Sequence, residues 1–537
     1  MKLRPTSLLG IAAIVASGLI IANSENGPFE RFFADPPPPI VAAPENQIES
    51  IFIALDATSM PIPVERPGSG GALTKMGDSI VLMTHEGRFF DVTGDTGEEV
   101  SISAPDSGWD AMLAFEAANP AYEFAHFYFR YNDIEATSDH LIVSFTHWEA
   151  EQSCYRTVLA RAPLGGATSP AALAIQTNDW ETLFETDPCL APKNPGRAID
   201  GHMAGGRFRV DENGDVILAS GDYAVDGTYA PEALSQNSDT HYGKVLRISP
   251  ETGEVVTLSQ GHSNMQGVSF DENGDLFVVE HGRRGGDELN LIETGADYGW
   301  PTVSLGTRYN RLPLQTGDGN YGRHDGFQTP VYSWLPSVAI SSLTRIDGFH
   351  PAWDGDLIAG SLAGNMLLRI RIRDGRVLFN ERISIGERIR YVLQDEDAIV
   401  LWTDSKQIIK LSVGDFDPSI QFAYNKINDL DLSEAQAVAM KIVLEQCSEC
   451  HNFGVTASEN APALGLVYDA PIASGDFAYS DALRGSSGNW TAERLVAYLT
   501  DPDSFAAGTS MPNPQLDDPE LISGLVTILE ALKNQPE

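Results

Sequence analysis

Between residues 45 and 413 the apolar residues fall in short alternating runs bounded by turn residues, with no helical stripe among them. Ser79 to Thr84, His140 to Phe145, Val216 to Ser220, Leu276 to Glu280, Leu357 to Gly360 and Ile399 to Thr403 are β-branched or otherwise apolar, as strands are. One element repeats outright. Phe208-Arg209-Val210-Asp211-Glu212-Asn213-Gly214-Asp215-Val216-Ile217-Leu218 recurs sixty positions on as Val268-Ser269-Phe270-Asp271-Glu272-Asn273-Gly274-Asp275-Leu276-Phe277-Val278. Asn-Gly between apolar runs predicts a hairpin, because both residues tolerate a positive φ. Asp-Glu-Asn-Gly-Asp also reads as a calcium loop, but the twelfth-position glutamate and helical flanks of an EF-hand are missing. A weaker echo, Gln394-Asp395-Glu396-Asp397-Ala398, precedes another apolar run. Hairpins at blade-like intervals across roughly 370 residues predict a β-propeller; six blades are expected, and spacing alone allows five to seven.

The period changes near residue 433. Glu434 to Gln446 reads as an amphipathic helix with Ala435, Val438, Ala439, Ile442 and Val443 as its apolar stripe. The fold expected is therefore an all-β six-bladed propeller followed by a small all-α domain. At the other end, Met1-Lys2-Leu3-Arg4 leads into an uncharged run of 15 residues, Leu8 to Ala22. A membrane span wants about 20 apolar residues, so a secretory signal with cleavage near Ala22-Asn23-Ser24 is expected; an uncleaved anchor is the alternative. The divisions expected are a signal over 1–24, a Pro-rich spacer over 25–44 that includes Pro36 to Pro39, the propeller over 45–413, a linker over 414–432 and a second domain over 433–537. No membrane span is expected after cleavage.

The chain's 537 residues exceed what one core organises. A net charge of −40 repels phosphates, which argues against nucleic acid and anionic lipid as partners. It would attract a cationic redox partner or divalent cations; an acidic surface as such is the plainer reading. Of the four cysteines, Cys154 and Cys189 lie apart from any motif. In an oxidising compartment they would pair, contributing about 3–4 kcal/mol in the chain-entropy model; two unrelated thiols are the alternative.

The other two cysteines carry chemistry. Cys447-Ser448-Glu449-Cys450-His451 has what covalent haem attachment needs: two thiols for the vinyl groups and an adjacent imidazole for the iron. A thioredoxin-like dithiol would need a flanking βαβ pattern, and a zinc site a second Cys/His pair; neither is present. Met511, in Gly508-Thr509-Ser510-Met511-Pro512, is placed to supply the sixth ligand. Residues 433 to 535 resemble class I cytochromes c in the order Phe477 to Leu483, Trp490-Thr491, Leu495 to Leu499 and Gly508 to Met511, with Glu520 to Leu532 like the closing helix. Ala461-Pro462-Ala463-Leu464 looks like the proline turn whose carbonyl orients the imidazole. The resemblance implies one covalent haem c held by Cys447, Cys450, His451 and Met511, with Met440 left to helix packing.

A second resemblance covers residues 65 to 412. Glu280-His281-Gly282-Arg283-Arg284-Gly285-Gly286-Asp287-Glu288, Tyr298-Gly299-Trp300-Pro301, Asn264-Met265-Gln266-Gly267, Trp334 to Ser337, Pro351 to Leu357, Gly386-Glu387-Arg388-Ile389-Arg390 and Thr403-Asp404 resemble the glucose/sorbosone dehydrogenase family. These are quinoproteins that oxidise aldoses with pyrroloquinoline quinone (PQQ) and calcium. The resemblance implies that His202, in Asp200 to Arg207, is the general base. It also implies that the carbonyls of Gly282 and Arg283 hold the Ca2+ at the quinone and that Glu288 serves a structural Ca2+. Arg388 and Arg390 would clamp the cofactor's carboxylates, and Asn264 would bond the quinone edge.

Three departures bear on the cofactor. Ser263 stands where the family carries Arg before the asparagine, Ala363 where it carries Lys after Ser-Leu, and Ser107-Gly108-Trp109-Asp110 lacks the family's glutamine. Each lost charge-assisted contact costs about 1.5–3 kcal/mol. The function expected is a periplasmic or secreted quinohaemoprotein that oxidises a sugar or polyol and passes electrons through the haem to a downstream redox protein or respiratory chain. The alternative is a propeller without quinone, a docking platform fused to an electron carrier.

Overall fold

The structure, a computed structural model, describes residues 47–122, 124, 126–192, 201–227, 232–309, 311, 314, 322–414, 418–458, 460–475 and 477–533. The expected signal and spacer lie outside them. Two compact units emerge, one ending at Gly414 and the other beginning at Asp415.

The first unit is a six-bladed propeller. Its innermost strands are Gly71–Met76, Tyr131–Ala136, Gly205–Val210, Asn264–Phe270, Ile340–Arg345 and Ile389–Asp395, each opening an antiparallel sheet. We number the blades one to six in that order. Ala54–Pro61, from before blade one, pairs with Gln407–Gly414 over the full register Ala54↔Gly414 to Pro61↔Gln407, completing blade six. This pairing ties the first described strands of the propeller to its last blade and so closes the ring.

Both Asn-Gly segments form the hairpin between first and second strands, in blades three and four, and the Gln394 echo does so in blade six. In the first two, the aspartate that opens the turn accepts backbone N–H groups, Asn213 and Asp215 on Asp211, Asn273 and Asp275 on Asp271. Those oxygens are spent on the turn itself, as the hairpin reading requires. Cys154 and Cys189 form a disulfide.

At the axis Arg207, only 4% exposed, donates to the carbonyls of Gly71, Asn132, Gln266 and Arg390, joining blade three to blades one, two, four and six. Its charge faces Asp133 at 3.7 Å.

The second unit is helical: Pro418–Lys426, Glu434–Ser448, Ala492–Thr500 and Pro519–Lys533 enclose one core, with shorter turns between. Ser433 caps the second of these, its hydroxyl accepting from Gln436 N while the Gln436 side chain accepts from Ser433 N. Two sequence expectations change here. The segment read as a linker over 414–432 contains the helix Pro418–Lys426, and Ala423 and Ile427 are buried in this unit's core. The buried stripe of Glu434–Ser448 runs through Met440, Val443 and Leu444, whereas Val438 and Ile442 are 54% and 50% exposed. Both faces of that helix carry apolar residues, and tertiary packing chose between them.

Candidate functional site

In a four-stranded blade, the start of the innermost strand and the turn between second and third strands come to the same face. Arg130, His202, Ser263 and Arg388 precede innermost strands, and 282–286 and 404–406 are such turns. All therefore belong to one mouth of the central channel.

Asp404 organises the mouth's blade-six side. Its carboxylate accepts from Arg388 Nε at 3.0 Å and from Arg390 Nε and Nη2 at 2.9 and 3.0 Å. Burial works against its charge, but Arg390 and Arg388 hold it below the usual carboxylate range. Arg388 also donates to Leu362 O, beside Ala363. Across from them, the loop 68–71 is held by four different donors: Lys406 Nζ on Gly68 O, Arg130 Nη1 on Ser69 O, Trp402 Nε1 on Gly70 O and Arg207 on Gly71 O. Arg390 Nη2 reaches the Ser69 hydroxyl at 3.0 Å. Glycine is required at Gly70, where φ is 143° and a Cβ would lie 2.8 Å from Arg130 Cδ.

His202 is half-buried, its ring lying on that of Tyr128 with centroids 4.4 Å apart. Burial raises the Tyr128 hydroxyl while Arg130 and Arg390 oppose the shift, which ties the His202–Tyr128 pair to the cationic side of the mouth. Asn264 lies 3.3 Å from His281 Nδ1 and accepts from Gln266 Nε2.

A small cavity of about 20 Å³, enough for one ion or water, is lined by Ser263, Glu280, His281, Gly282, Glu288 and Trp300 among others. Gly282 and Glu288, expected at two different calcium sites, thus share one cavity. Ser263 Oγ and His281 Nε2 are buried here with no hydrogen-bond partner among the described residues. A Cβ at Gly282 would fall 2.2 Å from Gly285 O and 2.5 Å from Gly286 O, so the turn is a cradle of carbonyl oxygens. Burial, with Glu280 and Asp287 nearby, pushes the Glu288 carboxyl well above its usual range. A hard cation suits this oxygen-rich, electron-rich hollow. Among the described residues no three His, Cys, Asp or Glu side chains converge as a metal cage, so a Ca2+ here would rest largely on carbonyls. The Arg283 side chain turns to Asp226 and lies 5.4 Å from the Trp300 ring, whose Nε1 donates to buried Asp222 at 2.7 Å. Burial and Asp226 raise Asp222 to about 7.

In the helical unit, His451 Nδ1 lies 2.7 Å from Pro462 O. A carbonyl only accepts, so Nδ1 carries the proton and Nε2 keeps its lone pair for a metal. Burial pushes the Cys447 thiol up to about 11. Cys447 and Met511 pack against the same core, and Met440 is fully buried within it. The residues fit a c-type haem: Cys447 and Cys450 would attach it, and His451 and Met511 would be candidates to bind its iron.

Asp404, Arg130, Lys406, Tyr128 and Asp222 were not expected at the site. Lys406 and Arg130 are 276 residues apart and no spacing rule joins them; the Thr403-Asp404 match was the one sequence signal near them.

The propeller's mouth gathers a histidine, a carbonyl-rich turn and four cations, and the same chain carries a Cys-x-x-Cys-His motif in its helical unit. The family model described as Glucose / Sorbosone dehydrogenase matches residues 132–411, more than half of the chain, and the chain belongs to that family. It is 30% identical over 300 residues to a Synechocystis protein, slr1608, covering 51% of this chain and 68% of that one. It is 28% identical over 258 residues to the Aldose sugar dehydrogenase YliI of Escherichia coli, covering 44% and 65%. The apo crystal structure of the E. coli soluble aldose sugar dehydrogenase superposes with a TM-score of 0.52 at 20% identity, covering 67% of this chain and 100% of that one, which shows the shared fold. The C-terminal part is similar to cytochromes c, among them a Rickettsia bellii cytochrome c homolog, 32% identical over 90 residues, 16% of this chain and 52% of that one.

Proposed function

We propose that the protein is an exported dehydrogenase of aldoses or related polyols, with PQQ and Ca2+ at the propeller mouth and a c-type haem on the helical unit. The observation that carries this reading is the meeting of His202 with a cation cluster at one end of the channel, joined through Tyr128. His202 takes the proton of the substrate's anomeric hydroxyl; a neutral imidazole suits that step near pH 7. Tyr128 orients the ring by stacking on it. PQQ, if bound, would supply a two-electron hydride acceptor at the mouth, and a haem on the helical unit would supply a one-electron acceptor. Arg388 and Arg390 hold the cofactor's carboxylates, kept in place by Asp404, and Asn264 donates to its rim. The carbonyls of Gly282 and Arg283, with Glu288, hold Ca2+. Carrying the haem on the same chain keeps the two redox centres at high effective concentration.

The haem reports on this directly. Oxidised full-length protein with Ca2+, PQQ and a panel of aldoses and polyols should show the reduced-haem absorption band with one substrate class. His202→Ala should slow that rise by about 10²–10⁴-fold. A band that stays flat while dithionite still reduces the haem, with no quinone binding by calorimetry, overturns the reading. The propeller would then be a docking platform for a redox partner, the alternative that Ser263 and Ala363 favour.

A further inference from the structure

Four cations crowd the mouth around one carboxylate. Arg388 and Arg390 share Asp404, while Arg130 and Lys406 face the same space from blade two and from the turn that carries Asp404. Nearby charges offset one another: Glu86 accepts the backbone N–H groups of Glu65 and Arg66 and attracts the Arg66 guanidinium, which is turned onto Trp109, and Arg207 faces Asp133, while Glu387 accepts from Ser405 on the turn beside Asp404. Around Asp404, on the side of blades two and six, cations outnumber carboxylates among the described residues, in a chain of net charge −40.

Arg130 and Lys406 are only partly used. Arg130 donates from Nε to Asn132 Oδ1 and from Nη1 to Ser69 O, and its Nη2 has no partner among the described residues. Lys406 has one acceptor, Gly68 O, for its three N–H groups. Burial, joined by Arg390 and Arg207, pulls Arg130 down to about 9. Burial likewise takes Lys406 to about 8, with Arg390 and Arg130 adding to the shift and Asp404 opposing it. Cations held at this cost, beside one another and with donors to spare, suit an anion that supplies several negative charges at once. The carbonyls of Gly68 and Ser69 need only a neutral donor, and Asp404, already held by Arg388 and Arg390, is the charge that Arg130 and Lys406 both face.

We propose that Arg130 and Lys406 bind the carboxylates of the quinone cofactor, supplying the two cations that Ser263 and Ala363 do not. The proposal rests on the quinone reading given above. The tricarboxylate is then met by four cations drawn from blades two and six. Lys406 keeps its place because its backbone adopts φ 64°, closing the turn between Thr403 and Gln407 that also presents Asp404.

The test is PQQ binding by calorimetry, with Ca2+ present, to full-length protein carrying haem. Lys406→Asn, chosen because asparagine tolerates positive φ, and Arg130→Gln should each weaken binding by roughly tenfold or more. Each should also flatten the dependence of affinity on salt. Lys406→Arg and Arg130→Lys, which keep the charge, should bind within a few-fold of the parent. Arg376→Gln, on the exposed outer strand of blade five, should change nothing. If the parent binds PQQ and both neutral variants bind it within twofold, this assignment falls while the quinone reading stands. If the parent binds no PQQ, the quinone reading falls and takes this assignment with it. Should Arg130→Gln fail to fold, Lys406→Asn decides alone.

Discussion

Two arginine pairs at alternate positions bracket an aspartate each, in adjacent blades, and they have different work. In blade five, Arg369 and Arg371 both donate to Asp356, and Arg369 also donates to Glu381 at 2.6 Å and to Ala352 O. Arg369 is fully buried, its guanidinium 4.9 Å from the Trp353 ring and 5.0 Å from that of Phe379. Two cations meet two carboxylates there, and the charge closes on itself. In blade six, Arg388 and Arg390 share Asp404, with Arg130 and Lys406 beside them. The same sequence pattern makes a structural brace in blade five and, under the proposed function, a binding surface in blade six.

The largest expected effect tests the brace. Arg369→Leu leaves Glu381 without its guanidinium and Asp356 with Arg371 alone, and should lower the propeller's unfolding free energy by about 3–5 kcal/mol. Urea unfolding followed by tryptophan fluorescence measures this, and PQQ affinity of the folded variant should hold within twofold. Arg390→Gln should do the reverse, weakening PQQ binding about tenfold or more while costing about 1–2 kcal/mol of stability. An exchange of the two outcomes would break the comparison.

Acid should find the same difference. His85 lies wholly buried beside the mouth, with the Pro67 backbone as the one group that favours its charge. Burial first, then Lys406, Arg66 and Arg130, lower it to about 3. Unfolded, the ring titrates near 6.5. Between those values the unfolded chain binds the extra proton, so stability is present above about pH 6.5 and is lost as pH falls toward 3, by at most ~1.4 kcal/mol per pH unit. Melting temperatures at pH 7.5, 5.5 and 4.5 should fall for the parent and fall less steeply for His85→Leu. Equal slopes would mean that the acid sensitivity lies elsewhere.

How much of this was legible follows from the range of each interaction. The Asn213-Gly214 and Asn273-Gly274 hairpins are local, and their recurrence carried the blade architecture. The attachment motif from Cys447 to His451 is local as well. Met440 against Val438, by contrast, was a choice between two apolar faces of one helix, settled by neighbours that the helix cannot name. Pro418–Lys426 is only nine residues long, too short for its apolar spacing to announce a helix, and Ala423 is buried on its inner side. Arg207 is one arginine among glycines until topology brings four foreign carbonyls around it. The mouth's cations were half legible: Arg388 and Arg390 stand in a motif, whereas Arg130 and Lys406 meet them only when the ring closes. Charge balance around an arginine pair, the property that separates brace from site, is assembled from several blades and has no local signature.

The smallest effect separates charge from shape. Arg371→Lys keeps the cation but loses the fork that reaches both oxygens of Asp356 and the Ala352 carbonyl, and should cost about 1 kcal/mol. Arg388→Lys gives up a single bond to Asp404 from a side chain 40% exposed, so its stability cost should stay within about 0.5 kcal/mol. Its effect should appear in PQQ affinity, a loss of about two- to fivefold, because a point charge holds a carboxylate with less directional constraint than a planar fork. Paired urea titrations and calorimetry resolve these differences. If Arg388→Lys destabilises the propeller as much as Arg371→Lys does while PQQ affinity is unmoved, the blade-six pair is a second brace, and the surplus charge at the mouth needs another explanation.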